Sequence, residues 1–484
     1  MSRLLDLPNE LIAHTFSYVD RSSLKSLRQT CRFLSQLAND QLYRTVHLRP
    51  GETSQNKLQG ILNNPNLSRS LRKIDIVTVD KGINYKYREN EQEWPHGWDN
   101  ILAQVEELPL LNSVVLCFHK RFVSASGQGR PNAWDYPQTR RFRFEAMDKI
   151  FSLIDSSRRP VQSLGIRNLQ AVNPEDPRTF AKMEKVLSGL QSLRLSITNQ
   201  IDGPSTGIEL EFPEVRNFFK DLPSAWLRPA APSLRHLSLS WHEYFGFYPH
   251  MDITNLFFPH LKTLSLGHFC FYHDDQIDWI LRHSDTLEKI YLDGCAVLYD
   301  FGMLKQNVNA CGRPRDTTVR REGSNALYGS YDKRWHEIFD LFAEKLTKLR
   351  HFRIGRSDWY PDIPSKPPGG SIRFGLYHDW YPESDIDIPF KQPESGIRVG
   401  LYHDWYMPCY DGLGDSPYQV SEAFKYFSSP ENWCPRPSPE CDDEDRASLR
   451  KLLAKLGQSV QESYWQRSGF VDHVHIVDLV QTDT

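Results

Sequence analysis

This 484-residue sequence contains the pairs His378-Asp379 and His403-Asp404. A histidine that is oriented by a carboxylate can act as a general base, and the same side chains can bind a metal ion. Neighbouring residues of a strand point to opposite faces, however, so neither pair is well placed to act together. Each pair lies in one copy of a ten-residue segment. The second copy begins 25 residues after the first and differs from it at one position. This near-identity indicates a tandem duplication rather than a reaction site.

The other histidines and cysteines are equally weak candidates for chemistry. His473 and His475 would share one face of a strand, but no pattern of carboxylates or cysteines accompanies them. Cys434 and Cys441 are separated by six residues and lack the paired spacing of a zinc site. The sequence has no phosphate-binding loop, nucleophile elbow or zinc-protease motif. We therefore expect no catalytic residue, no metal and no cofactor.

Charge and hydropathy exclude further classes of function. The formal net charge of −3 creates no global field that would favour nucleic acid or an anionic membrane. No run of apolar residues is long enough for a membrane span, and the N-terminus lacks the pattern of a signal peptide. The eight cysteines are scattered, as is usual where thiols stay reduced. We expect a cytoplasmic or nuclear protein, or one found in both compartments.

The first forty residues have the apolar spacing of three short helices. In the first helix, one side would carry Leu7, Leu11, Ile12, Phe16 and Val19. Asp20 is suited to cap a second helix with Leu24 and Leu27, and Phe33-Leu34 would belong to a third. So small a unit has more apolar surface than its own core can hide, so some of it should meet a partner or the rest of the chain.

This stretch resembles the F-box. The resemblance covers about the first 48 residues, and its matching positions are Leu7-Pro8, Glu10, Leu11-Ile12, Phe16, Leu24, Leu27, Cys31, Phe33-Leu34, Leu37-Ala38 and Leu42-Tyr43. It implies docking on the Skp adaptor of cullin–RING ubiquitin ligases, with the rest of the chain capturing a substrate. The adaptor-binding residues would then be Leu7, Pro8, Leu11, Ile12, Leu24, Leu27, Phe33 and Leu34. The alternative is a helical cap on a repeat array.

Beyond residue 60 the pattern apolar-x-x-apolar-x-apolar recurs. Its copies begin at Leu71, Leu111, Val161, Leu190, Leu234, Leu261, Leu287 and Leu349, with a further candidate at Val471. The last two apolar positions alternate as a half-buried strand requires, and the whole pattern is that of a leucine-rich-repeat strand. The three central copies are 26 and 27 residues apart, within the usual repeat length.

These patterns predict an α/β fold with two parts. A three-helix F-box over 1–48 is followed, over 60–484, by an irregular leucine-rich-repeat-like solenoid. The unequal spacing of the copies requires long insertions, which we expect near residues 81–100, 123–141, 199–232, 297–340 and 356–440. The acidic run at 442–445 should begin one further helix, because a helix N-terminus favours negative charge.

The substrate should meet the outward strand positions or the inserted loops. The candidate residues are His236, Ser238, Thr263, Ser265, Lys289, Tyr291, Arg353, Trp380 and Trp405. The two tryptophans belong to the duplicated segment and could serve as aromatic anchors. We therefore predict a non-catalytic substrate-recognition subunit of a Skp–cullin–F-box ubiquitin ligase. The alternatives are an interaction module that binds the adaptor without a cullin, and an enzyme concealed in residues 300–440.

Overall fold

The computed structural model describes residues 7–79, 92–119, 138–198, 213–312, 319–322, 326–357, 397–399, 406–410 and 436–458. The chain forms two compact units: unit 1 is Met1–Asn168 with Pro174–Ser192, and unit 2 is Leu169–Asn173 with Leu193–Thr484. Within the described residues, no helix combines the length and the apolar character that a bilayer crossing needs.

Unit 1 opens with three short helices, α1 (Asn9–Ser17), α2 (Arg21–Leu27) and α3 (Arg32–Leu42). The predicted cap of α2 is present, because the Asp20 carboxylate accepts hydrogen bonds from the N–H groups of Ser22 and Ser23 at 2.9 and 3.0 Å. A guanidinium nitrogen of Arg28 donates to the Tyr43 hydroxyl at 2.9 Å and so ties the end of α2 to the end of α3.

The three helices enclose one small apolar core. Its buried members are Ile12, Phe16, Leu24, Leu34, Ala38 and Leu42. Val19, Leu27, Phe33, Leu37 and Tyr43 pack against it and stay partly exposed. The predicted helical N-terminus is therefore confirmed.

The rest of unit 1 alternates helices with parallel strands. The strands are β1 (Thr45–Leu48), β2 (Lys73–Val77), β3 (Ser113–Cys117) and β4 (Ser163–Gln170), hydrogen-bonded in that order. The connecting and following helices are α4 (Glu52–Leu62), α5 (Pro65–Ser68), α6 (Trp98–Glu106), α7 (Arg140–Ser156) and α8 (Pro177–Ser188). Parallel neighbours need such crossover connections, which is why each helix separates two strands.

A fully buried arginine holds the ends of two of these strands. The Arg143 guanidinium donates to the carbonyl of Asn168 at 2.7 Å and to that of His119, and lies 4.9 Å from the ring centre of Phe118. Burial lowers the pKa of Arg143 well below its usual value. The two carbonyls compensate for this burial, so we assign Arg143 to structure rather than to a reaction.

Unit 2 contains a second run of parallel strands and a smaller side sheet. Its strands are β5 (Ser192–Thr198), β6 (His236–Phe245), β7 (Thr263–Phe271), β8 (Lys289–Asp293), β9 (Ala296–Leu304), β10 (Val319–Glu322), β11 (Ala326–Ser330), β12 (His351–Ser357), β13 (Ile397–Val399) and β14 (Tyr406–Tyr410). Strands β5, β6, β7, β8 and β12 follow one another in the main sheet, and β13 adds to β12 in the antiparallel sense. The side sheet has the order β10-β11-β9-β14.

The helices of unit 2 lie mostly in the connections between main-sheet strands. They are α9 (Pro213–Leu222), a π-helical turn (Pro223–Leu227), α10 (Arg228–Ala230), α11 (Asp274–Leu281), a 3₁₀ helix (Lys305–Ala310), α12 (Trp335–Lys345) and α13 (Asp442–Lys455). Helix α13 is where the acidic run predicted it. The described parts of the expected insertions at 199–232 and 297–340 thus contain helices and side-sheet strands. Most of 81–100, 123–141 and 356–440 lies outside the described residues.

Each described copy of the apolar pattern is buried. All three apolar positions of the eight copies from Leu71 to Leu349 are at most 6% exposed. The last two positions lie in register across neighbouring strands, for example Leu237 with Leu264 and Leu264 with Ile290. The strands of these copies pair in parallel, whereas the candidate copy at Val471 falls outside the described residues.

Candidate functional site

Helix α1 carries two apolar stripes on different sides. Ile12 and Phe16 face the core at 0% and 2% exposure. Leu7, Leu11 and Tyr18 are 41%, 51% and 78% exposed. Leu11 and Tyr18 are seven residues apart, so at about 100° of rotation per residue they share one side of the helix, and Leu7 lies just ahead of the helix N-cap. The unit therefore presents an apolar stripe, here called the outer stripe (Leu7, Leu11 and Tyr18), that its own core does not cover.

The structure divides the predicted adaptor-binding residues into a buried, a partly exposed and an exposed group. Ile12, Leu24 and Leu34 are at most 8% exposed and form the core of the three helices. Their side chains are needed to close a core of this size, so we correct their assignment from surface contact to interior packing. Leu27 and Phe33 pack on the same core and are partly exposed.

Three of the predicted positions remain available to a partner. Leu7, Pro8 and Leu11 are exposed at the start of α1, and their role in adaptor binding remains a prediction. Sequence reasoning missed Tyr18, whose ring lies 5.1 Å from that of His14, edge to face. The signal was the seven-residue step from Leu11 to Tyr18, which returns to the same side of a helix.

The strand register of unit 2 brings most of the predicted substrate residues into two rows. His236, Thr263, Lys289 and His351 are direct neighbours across β6, β7, β8 and β12. Two residues further along, the next row is Ser238, Ser265, Tyr291 and Arg353. Residues from four copies of the pattern thus come together on one face of the sheet.

The two rows differ in their access to solvent. In the first row His236 is exposed and its Nδ1 lies 3.0 Å from the Thr263 hydroxyl oxygen. In the other row Ser265 is 7% exposed and Tyr291 is fully buried. We therefore correct the assignment of these two residues, because a buried side chain offers no open contact surface. Ser238, Lys289 and Arg353 are partly exposed, and Trp380 and Trp405 lie outside the described residues.

Within the described part of the chain, one cluster has the donor types of a metal site. The ligand atoms of His336, Cys441 and Asp445 lie within 4.8 Å of one another. One carboxylate oxygen of Asp445 accepts from the His336 N–H and lies 2.8 Å from His336 Nδ1. The other accepts from the Tyr406 hydroxyl at 2.7 Å and lies 3.5 Å from Cys441 Sγ.

The surroundings of this cluster favour an anion over a cation. The first turn of α12 has N–H groups without helical partners, and Asp445 and Tyr406 accept those of His336 and Trp335. Both α12 and α13 begin at this cluster, so their dipoles oppose bound positive charge. Burial and the Asp445 carboxylate raise the pKa of Cys441 to about 11, which keeps the thiol protonated at neutral pH. We therefore assign the cluster to fastening α13 and β14 onto α12.

The comparisons with known proteins concern the N-terminal helices. Residues 4–49 match the F-box-like family model, and the comparison with curated proteins finds no match at its significance limit. The matched segment contains α1, α2, α3 and β1, about a tenth of the chain. It does not reach the other strands, so the leucine-rich-repeat-like solenoid stays a prediction. Residues 4–49 thus form an F-box-like domain, a type of domain that in general interacts with a Skp-type adaptor.

Proposed function

We propose that this protein is the substrate-recognition subunit of a Skp–cullin–F-box-type ubiquitin ligase. The F-box-like domain would bind the adaptor, and the strand region would bind a protein substrate. The observation that carries the proposal is the F-box-like match to a three-helix unit whose outer stripe is left uncovered. Burial of such leucines in a complex is favourable, at about 25 cal/mol for each Å² of apolar surface removed from water.

The strand region has features that suit a recognition surface. In unit 2 the carbonyl before β6 accepts two N–H groups from the next copy: the Arg235 oxygen accepts from the N–H groups of Lys262 and Thr263 at 2.8 and 3.0 Å. The same pairing recurs at Lys262 and at Glu288. This backbone pairing recurs from copy to copy, and the apolar triplet of each copy is buried. Both features support the hypothesis that the region is a leucine-rich-repeat-like solenoid. Such a scaffold would hold polar side chains in fixed rows.

We further propose that the chain performs no reaction itself and works in the cytoplasm, the nucleus or both. The described cysteines are free thiols, in keeping with a reducing compartment. In the cluster of His336, Cys441 and Asp445, hydrogen bonds already engage the carboxylate, which supports a structural role over a catalytic one. The function is then to bring a protein to the ligase.

In the alternative proposal, the protein binds the adaptor but acts without a cullin. Copurification with a tagged full-length chain separates the two functions, with adaptor and cullin detected by immunoblot. Recovery of both is the expected result for a ligase subunit. Adaptor without cullin would replace the ligase proposal by an adaptor-bound interaction module, and recovery of neither would overturn both proposals.

A matched pair of variants makes this experiment specific to the outer stripe. Leu11→Asp places a charge on the proposed docking surface, whereas Gln36→Asp places the same side chain on an exposed position of α3. We expect the first to remove the adaptor and the second to retain it. Equal recovery from both variants would contradict docking through the outer stripe.

A further inference from the structure

The residues directly before four strands of unit 2 form a row of fixed geometry. We call Arg235, Lys262, Glu288 and Arg350 the leading row. Each carbonyl from Arg235 to Glu288 accepts two N–H groups from the next strand, so the backbone fixes the position of every member. Parallel strands lie about 4.8 Å apart, so the row spans about 14 Å.

The leading row carries an excess of positive charge. Arg235 and Arg350 are exposed, and Lys262 is partly exposed. Against these three cations stands Glu288, whose carboxylate lies 2.9 Å from Lys262 Nζ. The row therefore has a surplus of two positive charges on a chain whose net charge is −3.

The pKa of Glu288 reflects the positive charges at this edge of the sheet. Its pKa is lowered chiefly by the hydrogen bond from Lys262, and then by the charges of Lys262, Arg350 and Lys289. The carboxylate is thus paired with Lys262 and lies in the field of the other two cations. The turns before β8 and β12 contribute Asp285 and Lys348, whose opposite charges leave the surplus unchanged.

We infer that the leading row binds an acidic, extended segment of a protein substrate. The inference rests on the proposed function and names the class of substrate for it. An extended peptide advances about 3.3 Å per residue, so four to five residues span the row. Single-stranded nucleic acid would also respond to positive charge, but its binding sites add exposed aromatic rings for base stacking. The leading row contains no aromatic ring, and the neighbouring row contains no Phe, Tyr or Trp, only the imidazoles of His236 and His351.

The test uses peptides of defined charge and the full-length chain. A fluorescein-labelled twelve-residue peptide of alternating Glu and Gly is compared with its Gln-Gly counterpart by fluorescence anisotropy. We expect the Glu peptide to bind more tightly and its affinity to fall as salt is raised, because exposed charges are screened. Equal binding of the two peptides would overturn the inference.

Charge reversal locates the binding surface. Arg235→Glu with Arg350→Glu turns two attractions into repulsions, so we expect binding of the Glu peptide to weaken by about tenfold or more. The matched control reverses the exposed Lys220 of α9 and Arg178 of α8, and we expect it to bind like the wild type. Equal weakening in both variants would mean that only total charge matters, and would refute a site at the leading row.

A second variant is expected to bind the Glu peptide more tightly. Misfolding would weaken binding, so it could not produce this result. Glu288→Gln removes the carboxylate of the row, so the Glu peptide should bind more tightly; weaker binding would contradict the inference. Polyuridylate is tested as a competitor of the Glu peptide. If it competes, and if it binds less tightly to the Arg235/Arg350 variant, the surface binds nucleic acid instead. Adaptor copurification is measured in parallel and should be unchanged in all variants, so a failure of the ligase proposal shows separately from a failure at the leading row.

Discussion

The outer stripe on α1 gives the sharpest prediction. Leu7 and Leu11 are 41% and 51% exposed in the free chain, whereas Ile12 beside them is fully buried. If the adaptor docks on the outer stripe, replacing both leucines by alanine removes apolar surface that leaves water only in the complex. The variant should therefore lose affinity and keep its fold.

The size of the loss follows from the exposed surface. The two exposed fractions together amount to roughly one leucine side chain, and full burial of such a side chain is worth about 1.5–3 kcal/mol. Alanine keeps the β-carbon, so we expect a loss of about 1–2 kcal/mol, which is roughly a five- to thirtyfold rise in Kd. The free chain should stay as stable as before, because alanine is the best helix former.

Isothermal titration calorimetry with purified adaptor measures this change, and thermal unfolding measures the fold. Gln36→Ala, exposed on α3, is the surface control and should leave Kd unchanged. Ile12→Ala is the interior control and should destabilise the three helices by about 2–5 kcal/mol. If the Leu7/Leu11 double variant is folded and binds within twofold of the wild type, the outer stripe is not the adaptor-binding surface.

Three further predictions concern capping and thiol chemistry. Asp445→Asn should lower the free energy of unfolding by about 1–3 kcal/mol, because its carboxylate accepts one buried and one partly buried hydrogen bond; Asp443→Asn, on an exposed residue of the same helix turn, should lower Tm much less, because it loses an exposed interaction with the helix dipole. Hydrogen bonds from two serines lower the pKa of Asp20, so its stabilising effect is full above the usual value of 3.8 and is lost as pH falls below it. The Tm gap between Asp20→Ala and the wild type should therefore close in acid. Brief alkylation at pH 8 followed by peptide mapping should modify the exposed Cys31 and spare the buried Cys270, whose thiol pKa is raised by burial.

The sequence by itself determined the local structure of this protein. The apolar triplet at Leu234, Leu237 and Leu239 is buried in a strand, and Asp20 caps α2, as their spacing and residue types predicted. Local periodicity carries this information because a strand repeats every two residues and a helix every 3.6.

Only the tertiary structure decided which side chains are free to meet a partner. Leu11 and Ile12 are adjacent and chemically alike, yet α2 and α3 cover one and leave the other exposed. Tyr291 reads as an outward strand residue but is fully buried, and Asp445 meets His336 across 109 positions of the chain. Local residue spacing does not predict such contacts, because they depend on which distant segments of the chain pack against each other in the folded protein.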